Sequence, residues 1–219
     1  RKSILIKPRH VPISVWLFFI AALCHTLPLS WKAALSVDLL AVNGSLHFLD
    51  FLSLITHQFI HTDLQHLMKN FYFLMPLGLY LETQISRSRF LSIYLVSGVM
   101  SALVAIMAFY HAVYAETLIN LLALTNDRIP LRGASGAITG TVLYALCIWG
   151  SKARWQLLLA CIGIGHLMLP QFSKALISQT LPTDVAYWSH LGGMVTALIL
   201  GCFRSYDSNN NRDHRASTL

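Results

Sequence analysis

The chain has 219 residues, of which 55% are hydrophobic and 11% are charged, and its mean hydropathy is +0.58. Soluble domains carry about 25% charged residues, so this composition excludes an ordinary water-soluble domain and indicates lipid as the solvent. The net charge of +7 does not indicate nucleic acid, because the basic residues are scattered between apolar runs and form no basic stripe.

Six apolar runs are candidates for crossing a bilayer, although several are shorter than the roughly 20 residues that a perpendicular helix needs. Placing the N-terminus inside puts eleven of the 16 Lys and Arg residues on the inner side. This excess predicts that both termini are cytoplasmic, which requires an even number of spans. The predicted spans are Ile13–Leu29, Leu64–Leu81, Phe90–Tyr110, Ala134–Gly150, Trp155–Leu169 and Tyr187–Phe203.

The runs divide the chain into a short cytoplasmic segment at residues 1–12, a six-helix membrane domain at 13–203 and a polar cytoplasmic tail at 204–219. The expected fold class is therefore an all-α membrane protein. The Asn-rich tail has a composition typical of disorder. The first external connection, Ser30–Asp63, is itself rather apolar and is expected to lie partly in the interface as short amphipathic pieces.

Polar residues inside spans are costly, and three clusters of them are the main functional signal. Each cluster falls in the first turns of its helix, and helices two, four and six all run from outside to inside. The three clusters therefore share one depth, just below the external face. They are His66 with Asn70 on one face of helix two, Gly133-Ala134-Ser135-Gly136 opening helix four, and Ser189-His190-Leu191-Gly192-Gly193 opening helix six.

These residue types are those that acyl transfer needs. A serine hydroxyl is a weak nucleophile until a base takes its proton, so Ser135 is the predicted nucleophile and His190 its base. His66, Asn70 and the backbone N–H groups around Ser135 are candidate donors to a developing oxyanion. No carboxylate lies at this depth in any predicted span, so a Ser-His dyad is favoured over a triad.

Small residues at four-residue spacing allow helices to approach closely. This pattern predicts that helix four packs on helix six and brings Ser135 within reach of His190. The residues assigned to this packing are Gly133, Gly136, Gly140, Gly193 and Ala197, with Gly201 continuing the stripe.

The motifs from Thr56 to Gly201 resemble the signature of the rhomboid intramembrane serine proteases. Further matches to that family are Thr56, Phe59, His61, Gly78 and Glu82. The resemblance implies a rhomboid-like bundle in which Ser135 and His190 form the dyad and His66, Asn70 and Ser135 bind the oxyanion. It also implies cleavage of single-span transmembrane substrates near their external end, with the lipid bilayer as solvent and with no metal, cofactor or nucleic acid.

The sequence departs from the family pattern at two places. Members often carry Trp-Arg in the first external loop, where this chain has Leu52-Ser53, and many bacterial members have an aromatic ring where this chain has Thr139. The first departure bears on the fold of the loop, and the second on how the base is held.

Other readings stay open from sequence alone. Ser135 is also a good helix N-cap, and the glycine stripe serves packing in any bundle. The chain could be a catalytically silent rhomboid-like protein that binds membrane clients, or a sorting-type rhomboid that acts on C-terminal anchor helices. A transporter is disfavoured, because no charged residue lies at mid-membrane. The expected location is a bacterial inner membrane, with an organelle membrane as the alternative. A histidine metal site is a weak alternative and would use His57, His61, His66 and His111.

Overall fold

The computed structural model describes residues 11–38, 48–115, 130–149 and 188–201. This part of the chain is mostly helical, with one antiparallel pairing of two-residue strands. The elements in chain order are α1 Ile13–His25, α2 Leu29–Ala34, β1 Val37–Asp38, α3 Phe48–Thr56, a 3-10 turn at His57–Phe59, α4 Leu64–Gln84, α5 Arg87–Ala115, β2 Pro130–Leu131, α6 Ser135–Trp149 and α7 Trp188–Gly201.

Five of the six predicted runs correspond to α1, α4, α5, α6 and α7. The fifth run, Trp155–Leu169, lies outside the described residues, as do residues 1–10 and 202–219. The end predicted for the first run is wrong: α1 stops at His25, and a separate helix begins at Leu29. Pro28 explains the break, because a proline biases the residue before it away from helical backbone.

Lengths and compositions agree only in part with six full spans. Among the described helices, one stretch, Arg87–Ala108, is long and apolar enough to cross a membrane. Three further helices are apolar but shorter, and they are Ile13–His25, Ser135–Cys147 and Trp188–Gly201. Large apolar side chains such as Leu23 and Met107 are 70% exposed on the outside of the bundle, which fits apolar surroundings.

The core joins α1, α4, α5 and α6 through buried side chains that include Leu17, Phe71, Leu74, Tyr94 and Ile138. At the C-terminal end of α4, Glu82 ties this helix to the start of α1. Its carboxylate accepts hydrogen bonds from the backbone nitrogens of Ile13, at 2.7 Å, and Ser14, at 2.9 Å, and from the Ser14 hydroxyl at 2.9 Å. One carboxylate therefore satisfies backbone donors in the first turn of α1, which have no partner within their own helix.

Small residues let α5, α6 and α7 pack at very short range. A Cβ at Gly140 would lie 2.4 Å from Ser97 Cβ on α5 and 2.7 Å from the Gly193 carbonyl oxygen on α7. A Cβ at Gly136 would lie 2.3 Å from Ser101 Oγ. Only a glycine fits at such contacts, so these positions fix how closely the three helices approach.

The strand pairing ties the connection between α1 and α4 to the segment that leads into α6. Val37 pairs with Leu131 and Asp38 with Pro130. Next to this pairing, Arg132 Nε donates to Ser36 Oγ at 2.8 Å. The start of α6 is therefore held from outside the bundle as well as from within it.

Candidate active site

Gly133 sets the path of the chain into α6. Its φ of +112° lies in the left-handed region that residues with a side chain rarely adopt. Its backbone nitrogen donates to the His57 carbonyl oxygen at 2.9 Å. The loop before Ser135 is thus fixed both by a glycine-specific conformation and by a hydrogen bond to the 3-10 turn.

The two polar residues of α4 lie against this glycine. A Cβ at Gly133 would lie 2.9 Å from His66 Nε2 and 3.6 Å from Asn70 Nδ2. His66 is half-buried, and Asn70 is only 2% exposed. The structure therefore brings together the start of α6 and the two side chains that the sequence analysis assigned as oxyanion donors.

His61 holds Asn70 in place, a role that the sequence analysis did not identify. His61 Nε2 accepts a hydrogen bond from Asn70 Nδ2 at 2.9 Å, and the Ala134 backbone nitrogen donates to the same atom at 3.5 Å. Its Nδ1 donates to the Phe59 carbonyl at 3.4 Å. Burial lowers the pKa of His61 to about 3, so the ring is neutral and keeps Nε2 as an acceptor.

His57 has a structural role in the same turn. Its Nδ1 donates to the Ser53 carbonyl oxygen at 3.1 Å, and burial lowers the pKa of the ring to about 4. Ser53 belongs to the Leu52-Ser53 pair that departs from the family pattern. Within the described residues, no group of three or more His, Cys, Asp or Glu side chains could hold a metal ion. The side chain of His111, the fourth histidine of the metal-site hypothesis, lies outside the described part of the chain.

Ser135 is the first residue of α6 and is half-buried. The Ala134 carbonyl accepts the first helical hydrogen bond, from the Ile138 nitrogen at 2.9 Å, so Ala134 takes the N-cap position. The alternative reading of Ser135 as the helix cap therefore does not describe this helix end. The Ser135 N–H belongs to the first turn, whose donors point away from the helix.

His190 lies in the first turn of the described part of α7 and is 3% exposed. Thr139 Oγ1 on α6 lies 3.3 Å from the His190 carbonyl oxygen and 2.9 Å from the Gly136 carbonyl oxygen, and it can share its proton between them. Thr139 occupies the place where the resemblance expects an aromatic ring, so a hydroxyl contacts the backbone of the predicted base. A Cβ at Gly193 would lie 2.1 Å from the Gly136 carbonyl oxygen.

Contacts between α6 and α7 include the approach of Thr139 to the His190 carbonyl oxygen and the close approach of Gly136 to Gly193 and Ser189. The structure thus brings together the two helix ends that carry the predicted dyad. Catalytic hydrogen bonds are often long or poorly aligned in proteins without substrate, so helix placement is the relevant geometry here.

Two more polar residues, which the sequence pattern did not single out, lie immediately before α4. Asp63 caps the helix by accepting from the His66 nitrogen at 2.7 Å. Thr62 Oγ1 lies 2.9 Å from Asp63 Oδ2 and 3.2 Å from His66 Nδ1. An Asp three residues before His66 is a recognisable N-cap signal in the sequence.

Comparison with known families gives one match that covers most of the chain. The model of one family, described as Rhomboid domain, matches residues 49–207. That range covers well over half of the chain and contains Asn70, Ser135 and His190 with all of α4 to α7. No curated protein sequence matches the chain.

Proposed function

The chain belongs to the rhomboid family, and we propose that it is an intramembrane serine endopeptidase that cleaves single-span membrane proteins near the external face. In this proposal Ser135 is the nucleophile and His190 is the general base. His66, Asn70 and the Ser135 backbone N–H bind the oxyanion. The enzyme would be a multi-pass protein, with both termini cytoplasmic, in a bacterial inner membrane.

One observation carries the proposal: three helix starts converge on the segment around Ser135. His66 and Asn70 of α4 lie against Gly133, and Gly193 of α7 meets the Gly136 carbonyl. Serine, imidazole and amide donors are the groups that acyl transfer requires, and their supply from three separate helices is hard to explain by packing alone.

The chemistry follows from these groups. Ser135 Oγ attacks the carbonyl carbon of the scissile peptide bond while His190 removes its proton. The carbonyl oxygen becomes an oxyanion, which accepts hydrogen bonds from Asn70, from the Ser135 N–H and, when its Nε2 carries a proton, from His66. His190 then gives its proton to the leaving amine. In the second half, His190 removes a proton from water, the water attacks the acyl-enzyme carbonyl, and His190 returns the proton to Ser135 Oγ as the acid product leaves. Removing one oxyanion donor typically costs about 2.7–4 kcal/mol of barrier.

The test compares the parent with Ser135→Ala and His190→Ala on a labelled single-span substrate in liposomes. Ser101→Ala is the matched control, since Ser101 is a buried serine that packs beside Gly136 and donates to the Gly98 carbonyl at 2.7 Å. We expect the parent and the control to cleave and both dyad variants to be silent. Cleavage by Ser135→Ala at the parent rate would rule out the proposed nucleophile.

Two further readouts separate the alternatives. A substrate anchored by its C-terminal helix, compared with one anchored by an internal helix, distinguishes a sorting-type rhomboid from a general protease. A fluorophosphonate probe tests for a reactive Ser135 independently of substrate choice. A folded parent that neither cleaves a substrate nor reacts with the probe would instead be a client-binding rhomboid.

A further inference from the structure

Thr62 and Asp63 form an exposed hydrogen-bonded pair at the start of α4, beside a residue of the proposed site. Thr62 Oγ1 lies 2.9 Å from Asp63 Oδ2 and 3.2 Å from His66 Nδ1. The other carboxylate oxygen, Oδ1, accepts from the His66 backbone nitrogen at 2.7 Å. The three residues therefore make a short chain of hydrogen bonds that ends on one ring nitrogen of His66.

Asp63 determines which group donates and which accepts in this series of hydrogen bonds. The His66 backbone N–H, and after it the Thr62 hydroxyl, hold the pKa of the Asp63 carboxyl below its usual range. The carboxylate is therefore ionised at neutral pH and can only accept hydrogen bonds. Thr62 has one hydroxyl proton, which it gives to Asp63, so its oxygen can only accept from His66 Nδ1.

The opposite edge of the His66 ring faces the start of α6. A Cβ at Gly133 would lie 2.7 Å from His66 Cε1 and 2.9 Å from His66 Nε2. If the proton of a neutral imidazole sits on Nδ1, then Nε2 carries a lone pair on the side facing Gly133. A lone pair there cannot donate to an oxyanion.

We propose that Thr62 and Asp63 are positioning residues that keep the proton of neutral His66 on Nδ1, so that His66 donates from Nε2 only when it is an imidazolium. The catalytic consequence rests on the proposed function, whereas the tautomer itself does not. The charged and titratable groups that act on the ring are Asp63 and Lys69 from its own helix and cap, and His61, whose ring packs edge-on at 5.0 Å between centroids. On the α6 side the ring meets Gly133.

Asp63→Asn reverses the direction of the hydrogen bonds between residue 63, Thr62 and His66 Nδ1 without removing the helix cap. Asn is as good an N-cap as Asp, so its oxygen still accepts from the His66 nitrogen. Its NH₂ group then faces Thr62 and can only donate. Thr62 is then free to give its own proton to His66 Nδ1, which favours the imidazole proton on Nε2. Thr62→Val removes the link altogether, and Thr62→Ser keeps the hydroxyl as the matched control.

The experiment is ¹⁵N NMR of histidine-labelled full-length protein in detergent at about pH 8.5, well above the ordinary histidine pKa of about 6.5. The His66 signals are assigned by comparison with His66→Ala. Protonated and unprotonated ring nitrogens have well separated ¹⁵N shifts. We expect a protonated Nδ1 in the parent and in Thr62→Ser. We expect a protonated Nε2 in Asp63→Asn, and a shift toward it in Thr62→Val by about threefold to tenfold in population, the effect of one ordinary hydrogen bond.

A parent ring protonated on Nε2 would overturn the inference. So would Asp63→Asn and Thr62→Val rings that both stay protonated on Nδ1. Turnover at the same pH is measured in parallel, with Ser135→Ala as the blank, and Asp63→Asn is expected to exceed the parent severalfold. If the proton moves as expected but no Ser135-dependent cleavage occurs in any variant, the inference stands and the proposed function fails.

Discussion

At the scale of single residues, the site depends on one histidine that must stay neutral, His61. His61 accepts from both Asn70 and the Ala134 nitrogen through one ring nitrogen, which is possible only while that nitrogen is unprotonated. Protonation of His61 Nε2 would remove this acceptor and would place its new N–H against the N–H groups of Asn70 and Ala134. The arrangement of Asn70 is therefore coupled to the charge of a residue that has no assigned part in the chemistry.

We expect acid to destabilise the protein through His57 and His61. Their pKa values are lowered to about 4 and about 3 in the folded protein, whereas an unfolded histidine titrates near 6.5. The unfolded chain thus binds protons that the folded chain does not, so the free energy of unfolding falls as pH drops from about 6.5 toward about 3. Thermal unfolding in detergent across this range measures the slope.

The matched variant for this prediction is His61→Gln, whose amide can still accept from Asn70 but does not titrate. Its melting temperature should depend less on pH between about 6.5 and 4 than that of the parent. If the two proteins lose stability in parallel, His61 is not a source of the acid sensitivity.

What the sequence could predict at this scale depends on whether a contact is local. His66 and Asn70 are four residues apart, so their shared face follows from helix geometry. The contact between the Gly133 nitrogen and the His57 carbonyl joins residues 76 positions apart, and no periodicity encodes it. His61 was recognised as a family match and a candidate metal ligand but not as a partner of Asn70, because its partners are set by the turn between the 3-10 helix and α4.

At the scale of elements, close approach of α6 and α7 was predictable, and the part played by α5 was not. Glycines at four-residue spacing are a recognisable packing signal. The serines that complete the contact, Ser97 and Ser101, are spaced in the same way on α5 but read as ordinary polar residues in an apolar run. The β1–β2 pairing was also missed, because strands of two residues leave no alternating pattern.

Gly193→Leu should separate α7 from α6. A Cβ at this position would lie 2.1 Å from the Gly136 carbonyl oxygen, a backbone atom that a rotamer change cannot move. We expect cleavage to be abolished. We also expect the free energy of unfolding to fall by about 3 kcal/mol or more, the upper end of the range typical of overpacking, since here the backbone must shift. Melting temperature and cleavage in liposomes measure the two effects.

Gly201→Ala is the control for this prediction, because it lies further along the same helix. Its Cβ would lie 2.8 Å from Cys147 Cβ, a milder clash than the 2.1 Å approach of a Gly193 Cβ to a carbonyl oxygen. This variant should keep most of its activity. If Gly193→Leu cleaves as well as Gly201→Ala, the close contact between α6 and α7 is not needed for catalysis.

At the scale of the whole molecule, α4 relates the site to the membrane. Its 21 residues extend about 30 Å, close to the thickness of a bilayer core. The site residues His66 and Asn70 lie at its start, and the Glu82 clamp on α1 lies at its end. The site and the clamp therefore lie at opposite ends of α4. In the predicted six-span topology these ends are near opposite membrane faces, and the excess of positive charge predicts that the site faces outward.

Cysteine labelling on intact bacterial cells tests this orientation. In a background in which Cys24, Cys147, Cys161 and Cys202 are replaced by alanine, single cysteines are introduced as Gln65→Cys and Ser88→Cys. Both positions are exposed, one at the start of α4 and one at the start of α5. A membrane-impermeant maleimide should label Gln65→Cys on intact cells and Ser88→Cys only after lysis. The opposite pattern would place the site in the cytoplasm, where the proposed cleavage near the external face of a substrate could not occur.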